Sequence, residues 1–365
     1  MTTSAPLLTP APPAAPRTPA APGSTHLARA LAARRPGRAD IEAPFAPVER
    51  VAHRLLPGLV ALRPAVGGTP LVPVPSRAGH GTVWLKAEAA NLTGTVKART
   101  AYALLCGAVA RAGTARVRLV EYSGGSLGLA LAHMCAVLGL DLHLAVPYGV
   151  PDRLVAALRR DGARVTRAPG GTGFLGAMDE AARIAEDEER YLLLQHSAPE
   201  AAAVHRERTG AEITARLTGE GVRPHALAAS VGSAGTLVGT AQALRLRGPD
   251  CAAFAVFPAE APYGDAHAPT GAPRMNGTGG LGHGLRQPLL APYEDEFAFA
   301  QVGYAQALAA MRLLRGTQRI AVSASAAGAW LTASRAVDAG PRGRHAVAVA
   351  ASRGTAEEWA DAADH

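Results

Sequence analysis

The chain has 365 residues, 48% of them hydrophobic but only 4% aromatic, and a formal charge of +8. That length gives room for two domains with cores of small aliphatic side chains. No apolar stretch is long enough to span a bilayer, since the run from Leu127 to Val146 is broken by His133, Asp141 and His143, and arginines scattered among acidic residues, as in ARIAEDEER, argue against a nucleic-acid partner.

Residues 1–45 hold five arginines against Asp40 and Glu42, and the run PAPPAAPRTPAAPGST. Such a composition cannot bury enough apolar surface to fold, so a disordered Pro/Ala-rich tail is expected up to residue 45. The twin arginine of LARALAARRPGR has no apolar segment after it, so an export signal is not expected. Cys106, Cys135 and Cys251 are widely spaced in apolar surroundings. Reduced core thiols in a cytoplasmic protein follow, with neither a disulfide framework nor a zinc site.

From Phe45 onward strand and helix patterns alternate. The strand-like runs are TVWLKAE (82–88), RVRLVEY (116–122), DLHLAVP (141–147), ARVTRA (163–168), RYLLLQH (190–196), PHALAAS (224–230), AAFAVFP (252–258) and HAVAVAA (345–351). Between them lie helical stretches such as KARTAYALLCGAVARAG and GAMDEAARIAEDEE. Short Val/Leu/Ala runs joined by amphipathic helices predict an α/β protein with open parallel sheets and helical crossovers. Two domains are expected, 46–205 and 206–365. Open sheets of this kind bind ligands at the carboxyl ends of their strands.

Three features fall there. The chain has only two lysines, Lys86 and Lys97, against 35 arginines, and both sit in LKAEAANLTGTVKAR. A lysine kept against that bias points to a task arginine cannot perform, such as losing its proton to act as a nucleophile. The second feature is SVGSAGTLVGT (230–240), between a strand and a helix, whose backbone N–H groups, hydroxyls and helix dipole make a phosphate cradle. It lacks the lysine of a nucleotide P-loop and the spacing of a dinucleotide fingerprint. The third is EYSGGSLG (121–128), a second turn able to hold a carboxylate or a polar edge of a cofactor. Together they point to an aldehyde-bearing phosphate cofactor, pyridoxal phosphate.

In order along the chain, these motifs resemble the cysteine synthase branch of the tryptophan-synthase-beta superfamily, the fold type II pyridoxal phosphate enzymes. VGGTPLVPV resembles Gly-Asn-Thr-Pro-Leu, and LKAEAANLTGTVKAR resembles Lys-x-Glu-x-x-Asn-Pro-Thr-Gly-Ser-x-Lys-x-Arg. The match puts the Schiff-base lysine at Lys97, with Glu88, Asn91, Thr93 and Gly94 around it. QHSAPEAAAVHRERTGAEI and GGLGHGLRQP resemble later family motifs. The resemblance implies two mostly parallel twisted sheets with the cofactor in the cleft between domains. It gives the phosphate to Gly232, Ser233, Ala234, Gly235 and Thr236, and the substrate to Ser123, Gly124, Gly125, Leu127 and Gln195. Ser126 stands where the family has an asparagine on the cofactor's ring hydroxyl. Ser323 is the first choice to face the pyridine nitrogen and Ser325 the second. No metal is implied; a homodimer and a small amino-acid substrate are.

Two departures matter for chemistry. Leu127 replaces a hydroxyl residue of the family's substrate turn, which implies a specialised donor or nucleophile. A neutral serine at the ring nitrogen favours expulsion of a β-substituent over transamination. The implied reaction is β-replacement on an activated serine-type amino acid through an aminoacrylate, with Lys97 as general base. The alternatives are β-elimination of the dehydratase or lyase type and a non-catalytic homologue. A nucleotide-binding oxidoreductase would leave Lys97 unexplained. His205 is expected to be structural, and Asp265 and His267 fall in a long glycine-rich loop.

Overall fold

The computed structural model describes residues 25–246, 248, 250–265, 272–278 and 286–364. Ten strands lie among them: β1 (Leu71–Pro75), β2 (Thr82–Ala87), β3 (Leu119–Tyr122), β4 (Leu142–Val146), β5 (Arg164–Arg167), β6 (Tyr191–Leu192), β7 (Ala226–Ser230), β8 (Ala252–Pro258), β9 (Ala298–Val302) and β10 (His345–Ala350). They form two sheets, each in its own unit, so the α/β architecture with open, mostly parallel sheets stands.

The first unit covers, in its described part, residues 25–68 and 91–209. Its sheet has the order β5-β4-β3-β6 with every pair parallel. All residues of β3 and β4 are buried, as expected of strands covered on both faces. The helix Lys97–Ala112 is apolar nearly all round, with Tyr102, Leu105 and Cys106 in the core beside Leu119, Leu131 and Leu144.

The second unit comprises 69–90 and 210–364, with sheet order β1-β2-β10-β7-β8-β9. β1 pairs antiparallel with β2, and every other pair is parallel. Its core gathers Val83, Leu85, Ala228, Val256, Met311, Trp330 and Ala348. Small side chains let the helix Ala324–Asp338 pack closely: a Cβ on Gly328 would lie 2.8 Å from Met275 Sδ.

Three expectations are corrected. The domain boundaries of 46–205 and 206–365 are not those of the structure, because β1 and β2 part from the segment that follows them and β2 pairs over six residues with β10. Local patterning carries no sign of so distant a partner. β1 and β9, the outer strands of the larger sheet, were not expected at all. The disordered tail does not extend to residue 45: helices form at Thr25–Ala33 and Arg38–Glu42. Leu27, Ile41 and Phe45 are buried, Leu27 N donates to Asp179 Oδ1, and Arg206 donates to the carbonyls of Ile41 and Ala43. A few well-placed apolar residues and distant side-chain partners hold a segment that composition alone marks as unfolded. The rest of that tail, residues 1–24, lies outside the described residues.

Candidate active site

In the first unit, the segment leading to Lys97 is a sequence of turns. Asn91 is buried and its Oδ1 accepts from Gly67 N and Leu92 N, each at 3.1 Å. Gly94 N returns to Asn91 O at 2.8 Å, with Gly94 at φ +72°, a conformation that favours glycine. Thr95 Oγ1 accepts from Lys97 N at 3.2 Å, starting the helix that Lys97 heads. Thr93 Oγ1 is buried and has no hydrogen-bond partner among the described residues.

Lys97 is half-buried, and desolvation of its ammonium pulls its pKa from 10.5 down to about 8, with the charge of Glu121 working in the opposite direction. Its position in the first turn of a helix disfavours the same positive charge. Nζ donates to Gln195 Oε1 at 3.1 Å, and Gln195 N donates to Glu121 Oε2 at 3.0 Å. Glu121 lies at the end of β3, wholly buried, and desolvation pushes its carboxyl up to about 8 against the backbone donors Tyr122 N and Gln195 N. The site thus keeps both an amine and a carboxyl poised near neutrality.

Gln195 is presented by a strained turn. Leu194 is buried at φ +57°, and its carbonyl accepts from Ser197 N and Ala198 N. The next side chain, His196, shares a 2.7 Å hydrogen bond with the Tyr122 hydroxyl, and the Phe174 ring meets both rings edge-on. Burial and the nearby Lys97 charge hold His196 neutral, its pKa down at about 3. Sequence reasoning missed Glu121, Tyr122 and His196 as members of this cluster, although the runs EYSGGSLG and QHSAP contain them.

The turn 121–128 carries the remaining candidates of this unit. Ser123 is buried, and its Oγ accepts from Gly128 N at 2.9 Å and Gly125 N at 3.4 Å, so this hydroxyl braces the start of the helix Ser126–Leu138. A Cβ on Gly124 would fall 2.3 Å from Val150 Cγ2. Ser126 is exposed at the helix start, whereas the Leu127 side chain is buried in the core. What Leu127 brings to the turn itself is its backbone N–H, its side chain packing into the core cluster. His205 is wholly buried on Thr209 Oγ1 at 2.9 Å, a structural placement.

In the second unit, the loop Gly232–Thr236 lies between β7 and the helix Gly235–Arg245. Ala234 is at the N-cap with φ +71°, and its methyl offers nothing to the first-turn N–H groups that a helix leaves unsatisfied. A Cβ on Gly232 would stand 2.6 Å from Gly277 O, so only glycine fits there. Ser233 is buried. Ser323 caps the helix Ala324–Asp338, accepting from Ala326 N at 3.2 Å, and its Oγ is 3.1 Å from Ser325 Oγ. Lys86 is buried too, but its Nζ donates to Thr69 O and pairs with Glu212 Oε2 at 2.6 Å. Glu88 accepts from Thr69 Oγ1 at 2.8 Å. Of GGLGHGLRQP only Arg286, Gln287 and Pro288 are among the described residues, and His267 is not.

These residues fit pyridoxal phosphate, each unit taken by itself. One unit offers a desolvated lysine of lowered pKa and the orphaned Thr93 hydroxyl. The other offers a helix N-terminus without a side-chain cap, in a loop where backbone approaches closely.

Comparison with known proteins agrees. The family model described as pyridoxal-phosphate dependent enzyme matches residues 62–352. Cysteine synthase A of Escherichia coli (strain K12) is 34% identical over 203 residues, which cover 54% of this chain and 61% of the relative. The probable cysteine synthase of Bacillus subtilis (strain 168) is 31% identical over 222 residues, covering 58% and 70%. The crystal structure of O-ureido-L-serine synthase superposes with a TM-score of 0.73 at 24% identity, over 81% of this chain and 92% of that one. Cysteine synthase from Entamoeba histolytica gives 0.70 at 22%, over 83% and 90%. At such identities the two structures show the fold alone. The chain belongs to the pyridoxal-phosphate dependent enzyme family.

Proposed function

We propose that the protein catalyses β-replacement on an activated serine-type amino acid, a transfer of the cysteine synthase type. The observation that carries the reading is Lys97, a half-buried amine of lowered pKa held by the neutral Gln195 carbonyl. The curated relatives add support, since those quoted are cysteine synthases. When bound, pyridoxal phosphate supplies the electron sink that acidifies the α-proton and lets a β-substituent leave.

The chain's own residues do the rest. Lys97 would hold the cofactor and, released from it, take a proton at Nζ. Gln195 orients that nitrogen, and Glu121 lies close enough to bias its charge. Gly232–Thr236 would hold the phosphate on backbone N–H groups, and Ser323, with Ser325 second, would face the ring nitrogen. Ser126 and the amides at Gly124 and Gly125 are placed in a turn suited to a carboxylate or to the cofactor's ring hydroxyl. The buried free thiols support a reducing, cytoplasmic setting, and the family resemblance supports a homodimer.

The purified protein should show a visible absorption band that borohydride abolishes, with the pyridoxyl group on Lys97. O-Acetylserine, O-phosphoserine, serine and threonine are then supplied with and without nucleophiles. A substituted alanine that forms only with a nucleophile supports replacement. Keto acid and ammonia released at one rate whatever nucleophile is present would mean elimination instead.

A further inference from the structure

A recess of about 370 Å³ opens in the first unit, behind the turn that presents Gln195 and lined by none of the residues given a catalytic or binding role above. One wall is the segment 33–40, which precedes the region matched by the family. The opposite wall is the edge strand β6 and the turn that follows it. Arg34 lies over the Tyr191 ring, 4.6 Å from its centroid, and spends one nitrogen on Leu192 O. Neither Arg34 nor its neighbour Arg35 forms an ion pair with a carboxylate among the described residues, although the Arg34 charge is felt by the buried Glu121. Asp40 also lines the recess, with one oxygen on Gly37 N, and Arg111 lines it while paired with Glu200. Ser197 is 3% exposed, and its Oγ has no hydrogen-bond partner among the described residues.

We propose that this recess binds a small organic carboxylate. A buried hydroxyl left without a partner costs about 1–3 kcal/mol, a penalty lifted when it donates to an anion. The Arg35 guanidinium, with no ion pair among the described residues, and the N–H groups that Arg34 does not spend on Leu192 O suit the planar, bidentate geometry of a carboxylate. Pro36 and Pro199 add apolar wall, which suits a carbon skeleton and gives nothing to an inorganic ion. The volume lies near the lower end of ligand pockets, roughly 300–1,000 Å³, and admits a molecule of amino-acid or keto-acid size. The ligand is one beyond the reacting amino acid, because none of these side chains belongs to the lysine, phosphate or substrate groups of the proposed reaction.

Isothermal titration of the full-length holoprotein tests this at constant ionic strength. The probes are acetate, pyruvate, succinate, citrate and inorganic phosphate. One carboxylate should bind saturably, one per chain. Arg35→Gln and Ser197→Ala should each weaken it by about tenfold or more, with the visible cofactor band and the thermal midpoint unchanged. No saturable binding by any probe up to about 10 mM, or phosphate binding as tightly as the best carboxylate, overturns the proposal. Affinity unaltered in both variants and competed by the donor amino acid also overturns it, by moving the ligand to the substrate's site. Each of these outcomes leaves the β-replacement reading standing, since that is judged on product.

Discussion

Lys86 is buried and Lys97 half-buried, yet Lys97 meets a neutral amide at 3.1 Å where Lys86 meets a carboxylate at 2.6 Å. Because burial lowers the Lys97 pKa to about 8, the folded protein binds fewer protons there than the unfolded chain between about pH 8 and 10.5. This group's contribution to stability therefore rises with pH across that window and is at its lowest, and flat, below about pH 8. In the cofactor-free protein, the rate at which an amine-directed reagent labels Lys97 should reach half its maximum near pH 8. Glu121→Gln removes a charge that raises this pKa, so the midpoint should move to lower pH; a move upward would contradict the electrostatic account. Lys86 has the opposite character. Lys86→Met leaves Glu212 without its buried partner and should cost about 3 kcal/mol in urea unfolding, while cofactor absorbance per folded molecule persists. The lysine bias marked both residues in the sequence, and the motif resemblance chose between them. Glu121 was not legible as a partner because its nearness to Lys97 arises only when the end of β3 meets the turn at Leu194.

At the scale of elements, the phosphate loop turns on one unusual residue. Ala234 sits at φ +71°, where a Cβ costs about 1–2 kcal/mol, although a glycine there would add unfolded-state entropy worth about 0.4–1 kcal/mol. Ala234→Gly should therefore raise the denaturant midpoint by the equivalent of about 0.5–1 kcal/mol, at unchanged slope, and keep the cofactor. Gly235→Asp should instead abolish cofactor retention, because a carboxylate would face the phosphate at the helix start. Full occupancy in that variant would place the phosphate elsewhere. The strands around this loop were legible because β7 and β8 are short apolar runs between turn residues. β1 and β9 were not, since each is an outer strand. β1 reads Leu-Val-Pro-Val-Pro with Pro73 and Pro75 unable to donate, and β9 leaves Gln301 exposed. The helices at 25–42 were hidden in the same way, held by single apolar residues and distant side chains where a local pattern would need a periodic stripe.

At the scale of the whole molecule, the chain starts one sheet, leaves it for 119 residues of the other unit, and returns to finish it. Sequence order suggested a cut near residue 206, and that cut would strip β1 and β2 from the sheet they complete. β10 would lose all six of its partners on β2 and present His-Ala-Val-Ala-Val-Ala as an open apolar edge. Such an edge is a template for pairing with other chains. A fragment of residues 206–365 should thus be found in the insoluble fraction, or elute as aggregate. A second fragment, 69–90 joined to 210–365 by a short Gly/Ser linker, restores both strands, and the Lys86–Glu212 pair at 2.6 Å shows that the ends to be joined lie near each other. It should elute as a discrete species and unfold cooperatively. Equal behaviour of the two fragments, whether both soluble or both aggregated, would mean that the β2–β10 pairing does not decide the independent stability of this unit.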